Sequence, residues 1–251
     1  MAGLAAEQFR LGAVASRSFS VLFKNIVPFG ILYLAVNAPA SIYALTLDGY
    51  VDADRDPGVR ILNFVEVFLG TVVAAAVTFA TVQELRGRRV GFGEFFERGL
   101  AQGGAAIRAA LLAGLLLILA FVALIIPAVV LYTMWWVVIP VAVIERPGAV
   151  ASLRRSAELT RGNRWRVFAL IAGFLLSVFA VGIGLGLATG LGVGLFAAGD
   201  IVLVHRLTIV VMWLWSTFLM AAQAVLTAVS YYYLRVAKEG IGIDDIAAVF
   251  D

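Results

Sequence analysis

The sequence predicts an all-α polytopic membrane protein with six transmembrane helices. Composition, the length of the uncharged runs and the placement of positive charge lead to this fold class. Of the 251 residues, 63% are hydrophobic and 14% are charged, against about 45–50% and about 25% in a soluble globular domain. A soluble domain of this size cannot bury that much apolar surface in one core, so the bilayer must solvate much of the chain.

Six runs of residues have the length and apolarity of a membrane span. A spanning helix needs about 20 apolar residues to cross a hydrocarbon core of about 30 Å. The uncharged stretch from Ala109 to Ile144 has 36 residues and as one helix would be about 54 Å long, so we expect a tight hairpin with its break at Pro127. The predicted spans are 25–47, 61–83, 107–126, 128–144, 167–188 and 207–234.

Positive charge is concentrated on one side of these predicted spans. Sixteen of the 19 Lys and Arg residues lie in segments that share one side, and only Arg55, Arg60 and Arg206 lie elsewhere. The positive-inside rule therefore predicts that the N- and C-termini are cytoplasmic. The first 24 residues contain charges and no apolar core with a cleavage site, so we expect no cleaved signal peptide.

An amphipathic or basic segment precedes each predicted pair of spans, at 8–24, 84–108 and 147–166. Such helices lie in the membrane interface, so we expect a cytoplasmic collar of interfacial helices on a single membrane domain, 1–251. The N-terminal segment 1–24 and the tail 236–251 are predicted to be cytoplasmic, with a short helix over Ile241–Asp251. The sequence GAVAS at Gly12–Ser16 recurs at Gly148–Ser152, which indicates either three helix–hairpin units or chance recurrence in a biased composition.

The fifth span carries a run of glycines spaced four residues apart. Residues with this spacing lie on one face of a helix, where small side chains permit the close approach of another backbone. This helix-packing face admits three interpretations: a contact with a neighbouring span, a homo-oligomer interface or a mobile gate. Its residues are Gly182, Gly186, Gly190 and Gly194.

Arginine and tryptophan cluster before the fifth span, where they are typical of an interfacial anchor. The same cluster could bind anionic lipid headgroups, because basic pockets at the cytoplasmic side of helices do so. We therefore predict membrane lipids, anionic ones included, as partners, besides a homo-oligomer or other membrane proteins. Nucleic acid is excluded because the basic residues are divided among membrane loops. The predicted lipid contacts are Arg154, Arg155, Arg161, Arg164, Trp165 and Arg166.

The residue types that catalysis needs are scarce. The chain has no cysteine and one histidine, so we expect no metal site and no cofactor. It has no GxSxG, HExxH or GxxxxGK[ST] motif. Only Glu66 and His205 could serve chemistry within the membrane, and a position near the membrane boundary accounts for both. We expect that the protein is not an enzyme.

The segment WWVVIPVAVIERPGAVASLRRSAELTRGNRWRVFALIAGF, Trp135 to Phe174, resembles the glycerophosphoryl diester phosphodiesterase membrane domain family. The resemblance implies a six-helix domain in the inner membrane of a bacterium. Some members of that family also carry a soluble phosphodiesterase barrel, whose metal is held by several His and Glu residues. With one histidine this chain cannot supply that site, so phosphodiesterase activity is not expected. The marks of the resemblance are Pro140, Glu145, Ala151, Arg155, Ser156, Leu159, Thr160, Gly162, Asn163 and Trp165.

Three functional hypotheses follow from these features. The first is a non-catalytic membrane protein that associates with lipid, or that assembles with or regulates protein partners through its collar. The second is a transporter or lipid-translocating protein, which the apparent repeats and the glycine-rich span favour. The third is an intramembrane enzyme, and it depends on Glu66 and His205 alone.

Overall fold

A computed structural model describes residues 9–47, 55–88, 91–196 and 200–239, and within these ranges the chain is helical without strands. Six segments are long and apolar enough to cross a membrane, which confirms the predicted all-α polytopic membrane protein. These spans are Ile26–Thr46, Pro57–Leu85, Ala101–Val122, Ile125–Ile144, Arg164–Leu191 and Val202–Glu239. The helices are α1 (Leu11–Lys24), α2 (Ile26–Thr46), α3 (Pro57–Leu85), α4 (Phe92–Ala123), α5 (Ile125–Met134), α6 (Val138–Ile144), α7 (Ala149–Thr160), α8 (Arg164–Phe196) and α9 (Ile201–Glu239).

Helix α3 begins before its predicted span because a capping group, rather than apolarity, sets its start. At the start of α3 the Asp56 carboxylate accepts from the backbone N–H of Gly58 at 2.8 Å and of Val59 at 3.1 Å. Pro57 occupies the first helical position, where its missing N–H costs nothing. The helix therefore begins four residues before the predicted span at 61–83.

The hairpin between the third and fourth spans breaks at Leu124, so the predicted break at Pro127 was wrong by three residues. Leu124 is extended, with φ −166° and ψ 144°, while Pro127 lies in the first turn of α5. A proline in a helix has no N–H for the carbonyl four residues earlier, and its ring clashes with that carbonyl. That residue is Ala123, the last residue of α4, so the break falls upstream of the proline.

The fourth span consists of two helices, α5 and α6, separated by a turn at 135–137. Pro140 lies in the first turn of α6 and provides no N–H for the carbonyl of Trp136, so a continuous helix is disfavoured here. The Met134 carbonyl at the end of α5 accepts hydrogen bonds from Ser156 Oγ at 2.9 Å and Thr160 Oγ1 at 3.3 Å. Hydroxyl groups of α7 thus satisfy a backbone group that the interruption leaves available.

The amphipathic helix α1 lies across one end of the bundle. Val21 and Leu22 are buried, while Phe19 and Phe23 are each 57% exposed. Lys24 Nζ at its C-terminus lies 2.6 Å from Glu84 Oε1 at the end of α3, and the preceding Phe9 accepts from Arg166 at the start of α8. Both ends of α1 therefore meet the same end of the bundle. We call this the basic end; it comprises residues 9–25, 85–88, 145–166 and 235–239.

The other two predicted interfacial segments differ from each other in structure. The first contains the start of α4, which runs without interruption from Phe92 into the span, so no separate helix forms there. The second forms α7, which is flanked by Gly148 with φ +95° and Gly162 with φ +92°. Because side chains other than glycine disfavour this left-handed region, the two glycines permit the sharp reversals into and out of α7. The predicted tail helix at 241–251 lies outside the described residues.

Helices α3 and α4 approach each other closely at two glycines. A Cβ added to Gly99 would clash with the Cβ of Ala76 and lie 2.7 Å from its Cα, and one added to Gly103 would lie 2.9 Å from Val72 Cγ2. Farther along the bundle, Asn37 of α2 donates to Ser216 Oγ and Thr217 Oγ1 of α9, each at 3.3 Å. Among the described side chains of α8, those that are buried are Val167, Leu170 and Ile171, in its first turns.

Candidate functional site at the basic end of the bundle

A network of ion pairs joins α6, α7 and α9 at the basic end. Arg155 Nε donates to Glu145 Oε2 at 2.8 Å, and its Nη2 donates to Glu239 Oε1. The second oxygen of Glu239 accepts from Arg235 Nε at 2.8 Å. Tyr231 closes the network, because its hydroxyl donates to Glu145 Oε1 at 3.0 Å and accepts from Arg235 at 3.1 Å. Each of the two carboxylates thus has two partners.

The side chains of this network are partly buried, which favours a structural role for it. The Arg155 and Glu239 side chains are 26% and 19% exposed, and burial of this kind by itself lowers the pKa of Arg155. The hydrogen bonds and charges of Glu145 and Glu239 outweigh the burial and raise the pKa of Arg155 above its ordinary value. The Arg155 guanidinium is therefore committed to two carboxylates, and of the predicted lipid contacts it is the one directed into the protein.

The remaining predicted lipid contacts lie at the surface of the basic end. Trp165 is 84% exposed, and its ring meets that of Phe168 edge to face, with the centroids 6.0 Å apart. Arg166 donates to the Phe9 carbonyl and to Asn163 Oδ1, both at 3.3 Å. The exposed side chains around this corner between α7 and α8 are those of Arg154, Arg161, Arg164, Trp165 and Arg166. Their contact with lipid stays a prediction.

A small cationic recess lies between α4, α6 and the start of α7. Its volume is about 230 Å³, and Arg108, Arg146 and Ser152 are among its lining residues. The buried amide of Gln102 shapes one wall: oriented for hydrogen bonding, it donates to the Val143 carbonyl at 2.7 Å and accepts from Arg146 Nη2 at 2.7 Å. This recess was not predicted from the sequence, because its residues come from two separated segments, 101–108 and 142–152.

The glycine face of α8 meets a neighbouring helix at Gly182 but not at Gly186 or Gly190. A Cβ added to Gly182 would lie 3.9 Å from Trp215 Nε1, while at Gly186 and Gly190 no atom lies within 4 Å. At Gly186 and Gly190 no neighbouring helix of the chain lies against this face, the side-chain position of Gly194 is outside the described ones, and the helix-packing role of the face stays a prediction. What remains for the exposed part of the face is the homo-oligomer interface or the gate.

Glu66 and His205 do not form a pair within the described residues. Glu66 lies in the third turn of α3, and His205 lies in the second turn of α9, where its Nε2 is buried without a hydrogen-bond partner. No hydrogen bond or ion pair joins the two side chains. The described ranges also contain no group of three or more His, Asp and Glu residues that could hold a metal ion.

A second cavity, of about 350 Å³, opens between α2, α3, α4, α5–α6 and α9. It borders the interruption at 135–137 and the central turns of α3. Most of the lining is apolar, and its polar side chains come from several helices. These are Tyr33, Thr71, Tyr132, Trp135, Trp136, Gln223 and Thr227.

No family model matches the chain, and no curated protein or solved structure matches it significantly. The resemblance to the glycerophosphoryl diester phosphodiesterase membrane domain family therefore stays a prediction. Its marks nevertheless occupy defined places in the structure. Glu145 and Arg155 form the ion-pair network, Ser156 binds the Met134 carbonyl, and Gly162 adopts a positive φ.

Proposed function

We propose that the protein is a non-catalytic, lipid-associated protein of the cytoplasmic membrane of a bacterium. The observation that carries this proposal is the exposed Arg161, Arg164 and Trp165 corner at the basic end. Trp rings favour the headgroup region of a bilayer, and each arginine near an anionic surface contributes about 1 kcal/mol of attraction. The corner thus has the chemistry that recognises anionic headgroups at the membrane surface.

In this proposal the basic end faces the cytoplasm, with both chain termini on that side. The placement of positive charge in the sequence supports this orientation. The helix α1 supports it as well, because it lies across the basic end with Phe19 and Phe23 exposed, as an interfacial helix does. The opposite end, around Leu124 and Asp200, then faces away from the cytoplasm.

The test is retention of lipid by the purified full-length chain. In nanodiscs of phosphatidylglycerol and phosphatidylcholine, native mass spectrometry should find phosphatidylglycerol enriched on the protein. Replacement of Arg154, Arg161 and Arg164 by Gln should reduce this enrichment about tenfold. The matched control replaces three arginines of the other end, Arg55, Arg60 and Arg206, by Gln and should change it little. Equal enrichment in the wild type and in the variant of the basic end would contradict the proposal.

A second candidate function, translocation of lipid or another solute, is favoured by the cavity beside the interrupted fourth span. In secondary transporters, discontinuous helices line the substrate site near the middle of the membrane. Here the interruption at 135–137 borders a cavity of about 350 Å³ with polar side chains from several helices. This arrangement supports the candidate without identifying a substrate.

Lipid scrambling in proteoliposomes tests this candidate. Fluorescent phosphatidylglycerol in the outer leaflet is reduced by dithionite, so translocation exposes the labelled lipid of the inner leaflet as well. The Gly114→Trp variant should block the activity, because Gly114 lines the cavity and a Cβ there meets no atom within 4 Å. The control is Gly184→Trp, in similarly open space away from the cavity. If the wild type does not scramble lipid in this assay, the hypothesis that the protein translocates lipid is contradicted.

A further inference from the structure

An apolar groove separates α8 from α1 and α9 on the outside of the bundle. Its volume is about 680 Å³, within the range of about 300–1,000 Å³ that small-molecule sites occupy. Helix α1 contributes Phe19 and Leu22, α8 contributes Phe174 and Ser177, and α9 contributes Trp215, among other residues. Its lining is almost entirely apolar, and along α8 it follows the turns beyond Val167, where the side chains are mostly exposed.

The length of the groove matches one leaflet of a bilayer. On α8 the lining residues run from Ala169 to Val181, which is about 18 Å along a helix. Half of a hydrocarbon core of about 30 Å is about 15 Å. The groove begins beneath α1 at the basic end and continues along α8 and α9 toward the interior of the membrane. An extended acyl chain of the leaflet at that end has this length and direction.

The end of the groove at the membrane surface is cationic. A shallow recess lined by Arg10 and Arg166 shares Leu11 and Gly12 with the groove. The hydrogen-bond acceptors of Arg166, the Phe9 carbonyl and the Asn163 amide oxygen, carry no charge. Within the described ranges no carboxylate forms an ion pair with either arginine. An acyl chain in the groove would thus place its headgroup beside two positive charges, which complement a phosphate.

We propose that this groove binds one acyl chain of an anionic phospholipid from the leaflet at the basic end, with Arg10 and Arg166 at its headgroup. The proposal rests on the proposed lipid association and assigns it a defined site. It differs from a general attraction to the membrane surface in two respects. The site takes one lipid, and occupancy requires the groove to be open as well as the headgroup to be charged.

Gly173 provides the decisive variant, because it lines the groove and a Cβ there meets no atom within 4 Å. Gly173→Phe should therefore fill the groove without displacing the fold. The matched control is Gly184→Phe on the same helix, where a Cβ also meets no atom within 4 Å and which does not line the groove. Full-length protein is exchanged from nanodiscs containing phosphatidylglycerol and phosphatidylcholine into detergent, and bound lipid is counted by native mass spectrometry.

The wild type and Gly184→Phe should each retain one phosphatidylglycerol, and Gly173→Phe should lose at least about tenfold in occupancy. Arg10→Gln combined with Arg166→Gln should remove the preference for phosphatidylglycerol over phosphatidylcholine. Equal occupancy in Gly173→Phe and Gly184→Phe would overturn the proposal, as would a wild type that retains phosphatidylcholine equally well. If the arginine corner variant loses anionic lipid while Gly173→Phe does not, the groove proposal fails and the proposed function stands.

A second measurement covers the case in which Gly173→Phe does not fold. Phosphatidylglycerol with a photoreactive diazirine in its acyl chain is cross-linked to the wild type, and the adducts are mapped by peptide mass spectrometry. Adducts should fall on groove residues such as Phe174, Ser177 and Trp215. Adducts spread evenly over the exposed faces of α3 and α4, without enrichment in the groove, would overturn the proposal.

Discussion

Arg155 of α7 donates from Nε to Glu145 Oε2, at the end of α6, over 2.8 Å. The same guanidinium reaches Glu239 at the end of α9, so one side chain joins three helices at the basic end. Apolar packing between helices has little directional preference, whereas charged hydrogen bonds require particular distances and angles. The network therefore fixes how α7 lies against the end of the bundle, next to the corner that we propose meets lipid.

Loss of the Arg155 side chain should destabilise the protein. Arg155→Leu leaves two partly buried carboxylates with fewer partners, and hydrogen bonds to charged groups contribute about 1.5–3 kcal/mol each. We expect the free energy of unfolding, measured by SDS titration in mixed micelles, to fall by about 2–4 kcal/mol. The neighbouring Arg154 is exposed, so Arg154→Leu should change it by less than about 0.5 kcal/mol. Similar losses in the two variants would contradict a structural role for the network.

The contact between α3 and α4 predicts a contrast between two glycines. Gly99→Val places a side chain against the backbone of Ala76, and overpacking of this kind costs about 1–3 kcal/mol. At Gly186 no atom lies within 4 Å of an added Cβ, so Gly186→Val should cost little in the monomer. Thermal unfolding in detergent compares the two, and the change in helix propensity from Gly to Val is the same in both variants. If Gly186→Val instead dissociates an oligomer, the glycine face of α8 is an intermolecular contact.

The number and order of the predicted spans were confirmed because run length and apolarity are local properties of the sequence. The interruption at 135–137 was not predicted, since membrane helices tolerate proline when neighbouring groups satisfy the freed carbonyls. Here the neighbouring hydroxyl groups belong to Ser156 and Thr160, which are separated from the interruption by a turn and a helix. Only the tertiary structure brings them to the Met134 carbonyl.

The site residues were harder to predict for a similar reason. Arg155 belongs to an arginine-rich run whose members look equivalent in sequence, and its distinct role depends on Glu239, 84 residues away. Gly99 and Gly103 lie in a segment with charges on both sides, whereas the glycines of α8 form the longer regular pattern. The regularly spaced glycines of α8 are largely exposed, whereas Gly99 and Gly103 of α4 make the close contact with α3. Spacing identifies a face of a helix but does not identify what covers it.

The hydroxyl groups of α7 supply a third prediction. Ser156→Ala removes a hydrogen bond to the Met134 carbonyl and should lower the free energy of unfolding by about 1 kcal/mol. Thr160 still reaches that carbonyl, so the double variant Ser156→Ala, Thr160→Ala should lose more than the sum of the single variants. The control is Ser16→Ala, an exposed residue of α1 that bonds only within its own helix. Strictly additive losses would show that the two hydroxyls do not share the carbonyl.

The most direct test of the account is the side of the membrane on which each end of the bundle lies. The chain contains no cysteine, so single cysteines can be introduced at Pro147 of the basic end and at Leu124 and Asp200 of the opposite end. A membrane-impermeant maleimide is then applied to spheroplasts. Leu124→Cys and Asp200→Cys should be labelled directly, and Pro147→Cys only after the membrane is permeabilised. Labelling of Pro147→Cys in intact spheroplasts, with protection at Leu124 and Asp200, would contradict the proposed orientation and a lipid site in the cytoplasmic leaflet.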